Sequence, residues 1–261
     1  VDGSMEFVRK QFPQVVCVDH STQTGFAPYV NRGVRQATGD IVILLNTDVE
    51  PEKGWLDPLL SHFRDPKVFA VGCLEKSYEK EGIVLRGRGL SKWEKGFFVH
   101  SKGDVDKTDT AWVCGGSGAF RKSVWDKLGG MDELYAPFYW EDIDLSYRAL
   151  KAGYSLVFEP KSIIHHWHEQ GAIKSSYTPE DVKKIVIRNQ FIFHWKNITD
   201  FQLMMLHCVR LCVLVANSVI RNDRTTLNGF WDAARLLTVI RKKRHIGKGL
   251  NRKKDMDICV S

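Results

Sequence analysis

The sequence has few of the patterns that mark a metal-cluster protein or a disulfide scaffold. Its 6 cysteines are irregularly spaced, and no two of them form a CxxC pair. Neither a zinc knuckle nor a disulfide framework is therefore indicated, and we expect a reducing compartment. The glycine turn at 115–118 is not followed by the Gly-Lys-Ser/Thr of a Walker loop, and the histidines lack the HExxH spacing of a zinc hydrolase.

An apolar run without interruption over the length of a membrane span is also missing. Residues 201–220 are strongly apolar, but His207 and Arg210 break the run. A transmembrane helix needs about 20 predominantly apolar residues, so an amphipathic helix at a membrane interface is the better interpretation. A helix that packs against the rest of the protein is equally consistent with the pattern.

Positive charge is concentrated near the C-terminus. The formal net charge is +7, and residues 241–254 contain no acidic residue but many lysines and arginines, so the rest of the chain is close to neutral. Such a segment suits an anionic membrane surface, and a solvated, partly disordered end is the alternative. Because aromatic and basic residues do not alternate, no nucleic acid partner is expected.

Before residue 179 the chain alternates between helical patterns and short apolar runs. The runs at 15–19, 41–46, 68–74, 112–114 and 155–164 predict strands. This alternation predicts an α/β fold in which helices flank a mostly parallel central sheet. From residue 179 the patterns are helical, and three helices are predicted. We therefore divide the chain into a domain at 1–178 and a C-terminal helical, basic region at 179–261.

Two groups of side chains follow predicted strands. Asp48 lies at the carboxyl end of the most apolar run, where ligands bind in open α/β sheets. A carboxylate there can hold a divalent cation, although an ordinary turn aspartate is an alternative. His165, His166 and His168 end a later strand, in which His166 and His168 share one face. Such histidines are either metal ligands or structural.

Three acidic residues stand at the start of a predicted helix. Glu141, Asp142 and Asp144 follow the aromatic residues 138–140, and acids in a first turn favour the helix dipole without any chemistry. At about 100° per residue, Asp144 lies about 200° around the helix from Asp142, so the three acids cannot serve one point. A neighbouring aromatic wall would raise a carboxylate's pKa, which suits a general base.

Taken together, three segments resemble a family 2 glycosyltransferase with the GT-A fold, and most closely its rhamnosyltransferase-like branch. They are NRGVRQATGDIVILLNTDVEP, GGSGAFRKSVWDKLGGMDELYAPFYWEDIDLSYRALKAGYSLVFEP and SIIHHWHE. They occur in the family's order over about residues 1–170. The resemblance implies a GT-A catalytic domain over 1–178, with a Rossmann-like sheet, and a C-terminal appendage in possible contact with a membrane.

The resemblance also implies site residues. Asp142 matches the catalytic base, and Glu141 matches a neighbouring acceptor contact. Asn46 and Asp48 stand where the family has its Asp-x-Asp motif, with Asp48 as the direct ligand of Mg²⁺ or Mn²⁺. His166 matches the histidine that completes the metal site. The remaining positions match two loops around the donor, namely Gly25, Asn31 and Gly33 in the first and Gly116, Ser117 and Gly118 in the second.

The activity implied is inverting transfer of a sugar from a UDP-, dTDP- or GDP-linked donor to a saccharide or lipid-linked acceptor in surface polysaccharide synthesis. We expect a cytoplasmic protein, with peripheral contact at the inner face of the cytoplasmic membrane. The chain begins at a segment that follows the family's second strand, so we expect its first strand, helix and second strand to be missing. Two alternatives are a catalytically incomplete, membrane-associated binding module and a metal-dependent hydrolase.

Overall fold

The structure is a computed structural model, and it describes residues 3–18, 25–167 and 176–260. Two helices come first, α1 (Ser4–Gln11) and α2 (Phe26–Gln36). The helix α2 begins earlier than the sequence predicts, because Pro28 stands in its first turn, where proline is tolerated. The predicted strand at 15–19 is wrong for Val15–Val18, which form irregular structure. Val16 is 75% exposed, and β-branched residues form a strand only where a neighbour can pair with them.

In the part of the chain that the structure describes, eight strands lie in two sheets. They are β1 (Ile41–Leu45), β2 (Val49–Pro51), β3 (Val68–Glu79), β4 (Gly82–Arg86), β5 (Gly89–Glu94), β6 (Phe97–Lys102), β7 (Ser117–Arg121) and β8 (Ser155–Trp167). The central sheet has the order β1-β7-β3-β8-β2, and β4 pairs with the outer part of β3. β5 and β6 form a separate antiparallel hairpin.

The expected α/β architecture is confirmed, but the central sheet is mixed. β3 and β8 pair in parallel, whereas β7 lies antiparallel between β1 and β3. The sequence predicted a mostly parallel sheet because its apolar runs are continuous, yet an antiparallel strand that is buried on both faces gives the same pattern. The predicted strand at 112–114 is also displaced, since β7 follows the glycine turn and includes Gly118.

Helices cover both faces of the sheet. On one face, α2, α4 (Lys122–Leu128) and α5 (Glu141–Lys151) contribute to a core that includes Val34, Phe120, Trp125 and Leu145. On the other face, α3 (Leu56–Ser61) buries Leu59 against Val71 and Ile164. The helix α5 begins at Glu141, as its sequence predicts.

The C-terminal region is helical and contributes to the core. It contains α6 (Pro179–Asn197), α7 (Phe201–Ile220), α8 (Arg224–Ala234) and α9 (Leu237–Lys248), so the third predicted helix is two helices. Phe191 and Phe193 of α6 pack with Trp140 and Tyr147 around the helix α5. The basic segment 241–254 is not simply solvated, because its first part belongs to α9 and its end leads into a 3₁₀ turn at Asp255–Ile258, where Asp255 is fully buried.

The helix α7 exposes most of its apolar surface. Within the described ranges it is the helix that is long and apolar enough to cross a membrane, by length and composition alone, and 17% of its most apolar window is buried. Val209 is 59% exposed. His207 fastens the helix to the β5–β6 hairpin, because its Nδ1 lies 2.9 Å from the carbonyl oxygen of Gly96.

Candidate active site

Two residues that the sequence assigned to a metal site lie together. Asp48 stands in the turn between β1 and β2, and β2 pairs with the end of β8, so that Val49 lies opposite His166. The Nε2 atom of His166 is 3.4 Å from Oδ2 of Asp48. The N–H of Trp167 donates to the carbonyl oxygen of Asp48 at 3.3 Å, which fixes the turn against β8.

Glu75, which the sequence did not single out, holds the other side of His166. Its Oε1 is 3.0 Å from Nδ1 of the imidazole, and the hydroxyl of Ser77 donates to the same carboxylate at 2.8 Å. Burial opposes the charged imidazole, but Glu75 and Asp48 outweigh it and raise the pKa of His166. A carboxylate on the far nitrogen orients a ligating histidine. The sequence signal was available, because Glu75 ends an apolar run as Asp48 does.

The pair formed by Asp48 and His166 fits two ligands of one divalent cation. Mg²⁺ binds its ligands at about 2.0–2.1 Å, so adjacent ligands of one octahedral ion lie about 3 Å apart. The observed 3.4 Å is close to that spacing. Over 3–18, 25–167 and 176–260, no group of three or more His, Cys, Asp or Glu side chains could hold a metal. Substrate oxygens and water would therefore supply the other positions.

Asn46 lies directly against the glycine turn. Its N–H donates to the carbonyl oxygen of Gly116 at 2.8 Å. A Cβ atom at Gly116 would be 2.5 Å from Nδ2 of Asn46, which is closer than non-bonded atoms approach. The second predicted donor loop therefore meets the end of β1 at a point where any larger residue would displace the side chain of Asn46.

The N-terminus of α5 places Asp142 against the same turn. Its Oδ1 accepts the N–H of Ile143 at 2.8 Å, and the backbone N–H of Gly115 also bonds to the carboxylate. Burial raises the pKa of Asp142, and these backbone bonds oppose the rise. The preceding residues Tyr139 and Trp140 have positive φ values of 70° and 78°, a backbone conformation that non-glycine residues adopt at a cost of about 1–3 kcal/mol.

The thiol of Cys114 lies close enough to Asp142 and Glu75 for both of their charges to affect its pKa. Burial, together with the charges of Asp142 and Glu75, raises the pKa of its thiol to about 12. A thiol in this environment stays protonated at neutral pH, so Cys114 is not a nucleophile. The glycine turn links the two parts of the site, because Gly115 bonds to Asp142 and Gly116 bonds to Asn46, two residues before Asp48.

Glu141 is a buried carboxyl group with a strongly raised pKa. Burial, followed by the neighbouring charge of Asp142, raises its pKa to about 8. Its Oε2 atom is buried and has no hydrogen-bond partner within the described ranges. Glu141 is therefore protonated at neutral pH and can donate a hydrogen bond.

Asp144 has a structural role. It is fully buried and accepts hydrogen bonds from Tyr135 at 2.8 Å and Arg148 at 2.8 Å, and from Asn197 at 2.7 Å. Nζ of Lys196 lies 2.7 Å from the same carboxylate. These cations lower its pKa despite its burial. Asp144 thus ties α5 to α6, whereas Asp142 bonds to the glycine turn through Gly115.

The other predicted nucleotide contacts have packing roles that the structure shows. The side-chain amide of Asn31 donates to the carbonyl of Met131 at 2.8 Å and accepts the N–H of Met131 at 2.9 Å. Gly118 has Val113 where a Cβ would stand, and Ser117 pairs with β1. Gly25, with φ 122°, packs on the loop before Asp142. Their contact with a nucleotide, and that of Gly33, stays a prediction.

Of the three histidines, His166 faces Asp48, and His165 points to the other face, where its Nε2 lies 3.0 Å from Glu52. The alternation predicted for these two is confirmed. His168 lies outside the described residues.

A comparison with protein families agrees with this geometry. The model of glycosyl transferase family 2 matches residues 1–129, about half of the chain. The match includes Asp48 and the glycine turn but ends before Asp142 and His166.

Two relatives are named as glycosyltransferases. The chain is 32% identical over 158 residues to the pre-mycofactocin glycosyltransferase of Mycobacterium tuberculosis, which covers 57% of this chain and 31% of the relative. It is 25% identical over 259 residues to the N-acetylglucosaminyl-diphospho-decaprenol L-rhamnosyltransferase of the same organism, which covers 87% of this chain and 84% of the relative. The chain thus spans about a third of the first relative and most of the second.

Solved structures show the same fold. GalNAc-T7 with UDP, GalNAc and Mn²⁺ superposes with a TM-score of 0.58 and 16% identity, over 74% of this chain and 38% of the other. Staphylococcus aureus TarS 1–349 with UDP-GlcNAc gives 0.55 and 13% identity, over 99% and 77%. The sheet, the site and these comparisons agree, and the chain belongs to glycosyltransferase family 2 with the GT-A fold.

Proposed function

We propose that the chain transfers a sugar from a nucleotide-diphosphate donor to a hydroxyl of a saccharide or lipid-linked acceptor in surface polysaccharide synthesis, with inversion. One observation carries the proposal: the glycine turn bonds to Asp142 through Gly115 and to Asn46 through Gly116, and Asn46 stands two residues before the Asp48–His166 pair. This arrangement places a proton acceptor opposite a cation-binding pair.

In the proposed reaction Asp142 acts as the general base. The acceptor oxygen forms a bond to the anomeric carbon while the bond from that carbon to the diphosphate oxygen breaks. The acceptor's proton passes to the carboxylate of Asp142. One displacement inverts the anomeric centre, and no covalent enzyme intermediate is required.

Asp48 and His166 would hold Mg²⁺ or Mn²⁺, and such an ion offsets the negative charge on a departing diphosphate. Glu75 keeps the imidazole of His166 aimed at Asp48. The missing side chain at Gly116 lets Asn46 pack directly against the turn that would line the donor. The structural neighbours bind UDP with Mn²⁺ in one case and GDP-Man with Mn²⁺ in another, which supports a metal-dependent UDP-, dTDP- or GDP-sugar transferase.

Release of nucleoside diphosphate tests this function. The chain is incubated with Mn²⁺ or Mg²⁺, a panel of UDP-, dTDP- and GDP-sugars, and saccharide and lipid-diphosphate acceptors. We expect release with one donor class that requires both the ion and an acceptor. Release that is independent of any divalent ion contradicts the role of Asp48 and His166. No release with any donor supports the incomplete binding module instead.

We further propose that the protein is cytoplasmic and attaches peripherally to the inner face of the cytoplasmic membrane. The exposed apolar surface of α7 and the lysines and arginines of α9 support this. Flotation with liposomes that contain phosphatidylglycerol should recover the wild type. Val209→Glu should abolish recovery, and Val16→Glu, the same change at an exposed valine outside α7, should not. Equal recovery of both variants, or no recovery of the wild type, contradicts membrane attachment.

A further inference from the structure

Three aromatic side chains stack against one another on the face of the sheet opposite His166. Tyr78 of β3 pairs with Trp167 of β8, and their rings are parallel within 5° with centroids 5.2 Å apart. His165 lies 5.7 Å from Tyr78 and 5.9 Å from Trp167, again close to parallel. Because side chains alternate along a strand, these three rings share one face and His166 occupies the other.

The rings are accessible and have apolar neighbours. Trp167 is 39% exposed and Ile83 is 57% exposed. Ile83 stands opposite Tyr78 in the β3–β4 ladder, and Leu85 stands opposite Lys76, so both belong to the same face. Large side chains that are grouped in this way mark a binding surface more often than isolated ones do.

Polar groups border the aromatic surface. Oε1 of Glu52 accepts a hydrogen bond from Nζ of Lys76 at 2.7 Å and lies 3.0 Å from Nε2 of His165. The hydroxyl of Tyr78 lies 2.7 Å from Nδ1 of His165. A carboxylate has about four acceptor sites, so Glu52 keeps capacity for hydroxyl donors. Aromatic rings beside a few fixed polar groups form the usual lining of a small-ligand site.

We propose that Tyr78, His165 and Trp167 form a platform that binds a remote sugar unit of an oligosaccharide acceptor. The apolar face of a pyranose ring packs on the exposed ring of Trp167, and its hydroxyls donate to Glu52. A lipid chain suits the surface less, because Glu52 and Lys76 would lose water without gaining a partner. The proposal rests on the proposed glycosyltransferase function.

The position of Trp167 explains why the bound unit is a remote one. Its ring is on the outer face, while its N–H donates to the carbonyl oxygen of Asp48 at 3.3 Å. A sugar on the platform therefore lies beside the candidate metal pair but on the other side of β8. An acceptor of several units can reach around the edge, and binding energy from its remote part promotes the reaction at its end.

Saturation-transfer NMR on the full chain, without donor or metal, tests the platform directly. The probes are monosaccharides and short oligosaccharides of N-acetylglucosamine and of rhamnose. We expect saturation transfer to an oligosaccharide, about tenfold weaker binding in Trp167→Ala, and partial recovery in Trp167→Phe. Trp231→Ala removes another exposed tryptophan, on α8 and 57% exposed, and should bind as the wild type does.

Absence of transfer to every oligosaccharide, or equal binding by Trp167→Ala and the wild type, overturns the platform. So does loss of nucleoside diphosphate binding in Trp167→Ala with saccharide binding unchanged, since the rings would then stack on a nucleobase. In turnover the same variant should raise KM for the acceptor about tenfold and leave KM for the donor unchanged. A chain that binds oligosaccharide through Trp167 but releases no nucleoside diphosphate would contradict the proposed function alone.

Discussion

Nε2 of His166 lies 3.4 Å from Oδ2 of Asp48, across the contact between β8 and the turn that follows β1. The two residues are far apart in the sequence, and Glu75 contributes from a third segment. A site assembled in this way depends on the pairing of β2 with β8, so its geometry is set by the sheet and not by a flexible loop.

Replacement of Asp48 tests the cation-binding role. Asp48→Asn removes a negative charge from the pair, so we expect Mn²⁺ to bind about 10–100-fold more weakly, with a matching rise in the Mn²⁺ concentration that turnover requires. Mn²⁺ binding is followed by electron paramagnetic resonance. Glu50→Gln, an exposed carboxylate two residues away, is the control. Equal Mn²⁺ affinity in both variants would rule out Asp48 as a ligand.

Asp142 and Asp144 differ in position by half a turn, and their amide variants should fail in different ways. Asp142→Asn removes the proposed base, so kcat should fall about 10²–10⁴-fold with little change in Tm. Asp144→Asn removes the buried carboxylate that pairs with Arg148 and leaves Lys196 with Asp132 alone, which should cost about 3–5 kcal/mol of stability. Calorimetry and turnover are measured on both. An Asp144→Asn variant as stable as the wild type contradicts the structural role of Asp144. An Asp142→Asn variant with the wild-type kcat contradicts the role of Asp142 as the base.

Glu141 should make stability depend on pH. Its pKa rises from 4.5 in the unfolded chain to about 8 in the folded protein. The folded state therefore holds a proton that the unfolded state has lost, and the free energy of unfolding should fall as pH increases between these values. Glu141→Gln cannot ionise, so its stability relative to wild type should grow with pH in that window.

Urea unfolding at a series of pH values measures this slope. Glu81→Gln, at an exposed carboxylate in the β3–β4 turn, corrects for the general effect of removing an acid. If the difference between Glu141→Gln and wild type is constant with pH, then Glu141 is ionised in the folded protein.

Two glycines allow the donor loops to be compared. A Cβ at Gly116 would meet Asn46, whereas a Cβ at Gly33 would meet nothing within 4 Å. Gly116→Ala should displace Asn46 and raise KM for the donor about tenfold or more. Gly33→Ala, inside α2, should stabilise the protein by about 0.5–1 kcal/mol. If Gly33→Ala also raises KM for the donor, the predicted nucleotide contact at that position is supported. If Gly116→Ala leaves the kinetics unchanged, the glycine turn does not contact the donor.

The sequence was sufficient for features that depend on local pattern. The start of α5 at Glu141 and the opposite faces of His165 and His166 follow from helical and strand periodicity. The role of Glu75 could not be read in the same way, because it depends on which strand lies beside β8. The antiparallel direction of β7 and the failure of Val15–Val18 to form a strand have the same cause: pairing is decided by distant neighbours.

The contact of Asp144 with Lys196 and Asn197 bears on how this enzyme could be re-engineered. The helix that presents Asp142 is bonded at its next turn to the first helix of the C-terminal region. An exchange of everything after residue 178 between two relatives would replace the partners of Asp144 while retaining Asp144 itself. We therefore expect a chimera to work when residues 189–197 and α5 come from the same relative. The remaining helices can then come from the other relative, whatever their acceptor or membrane preference.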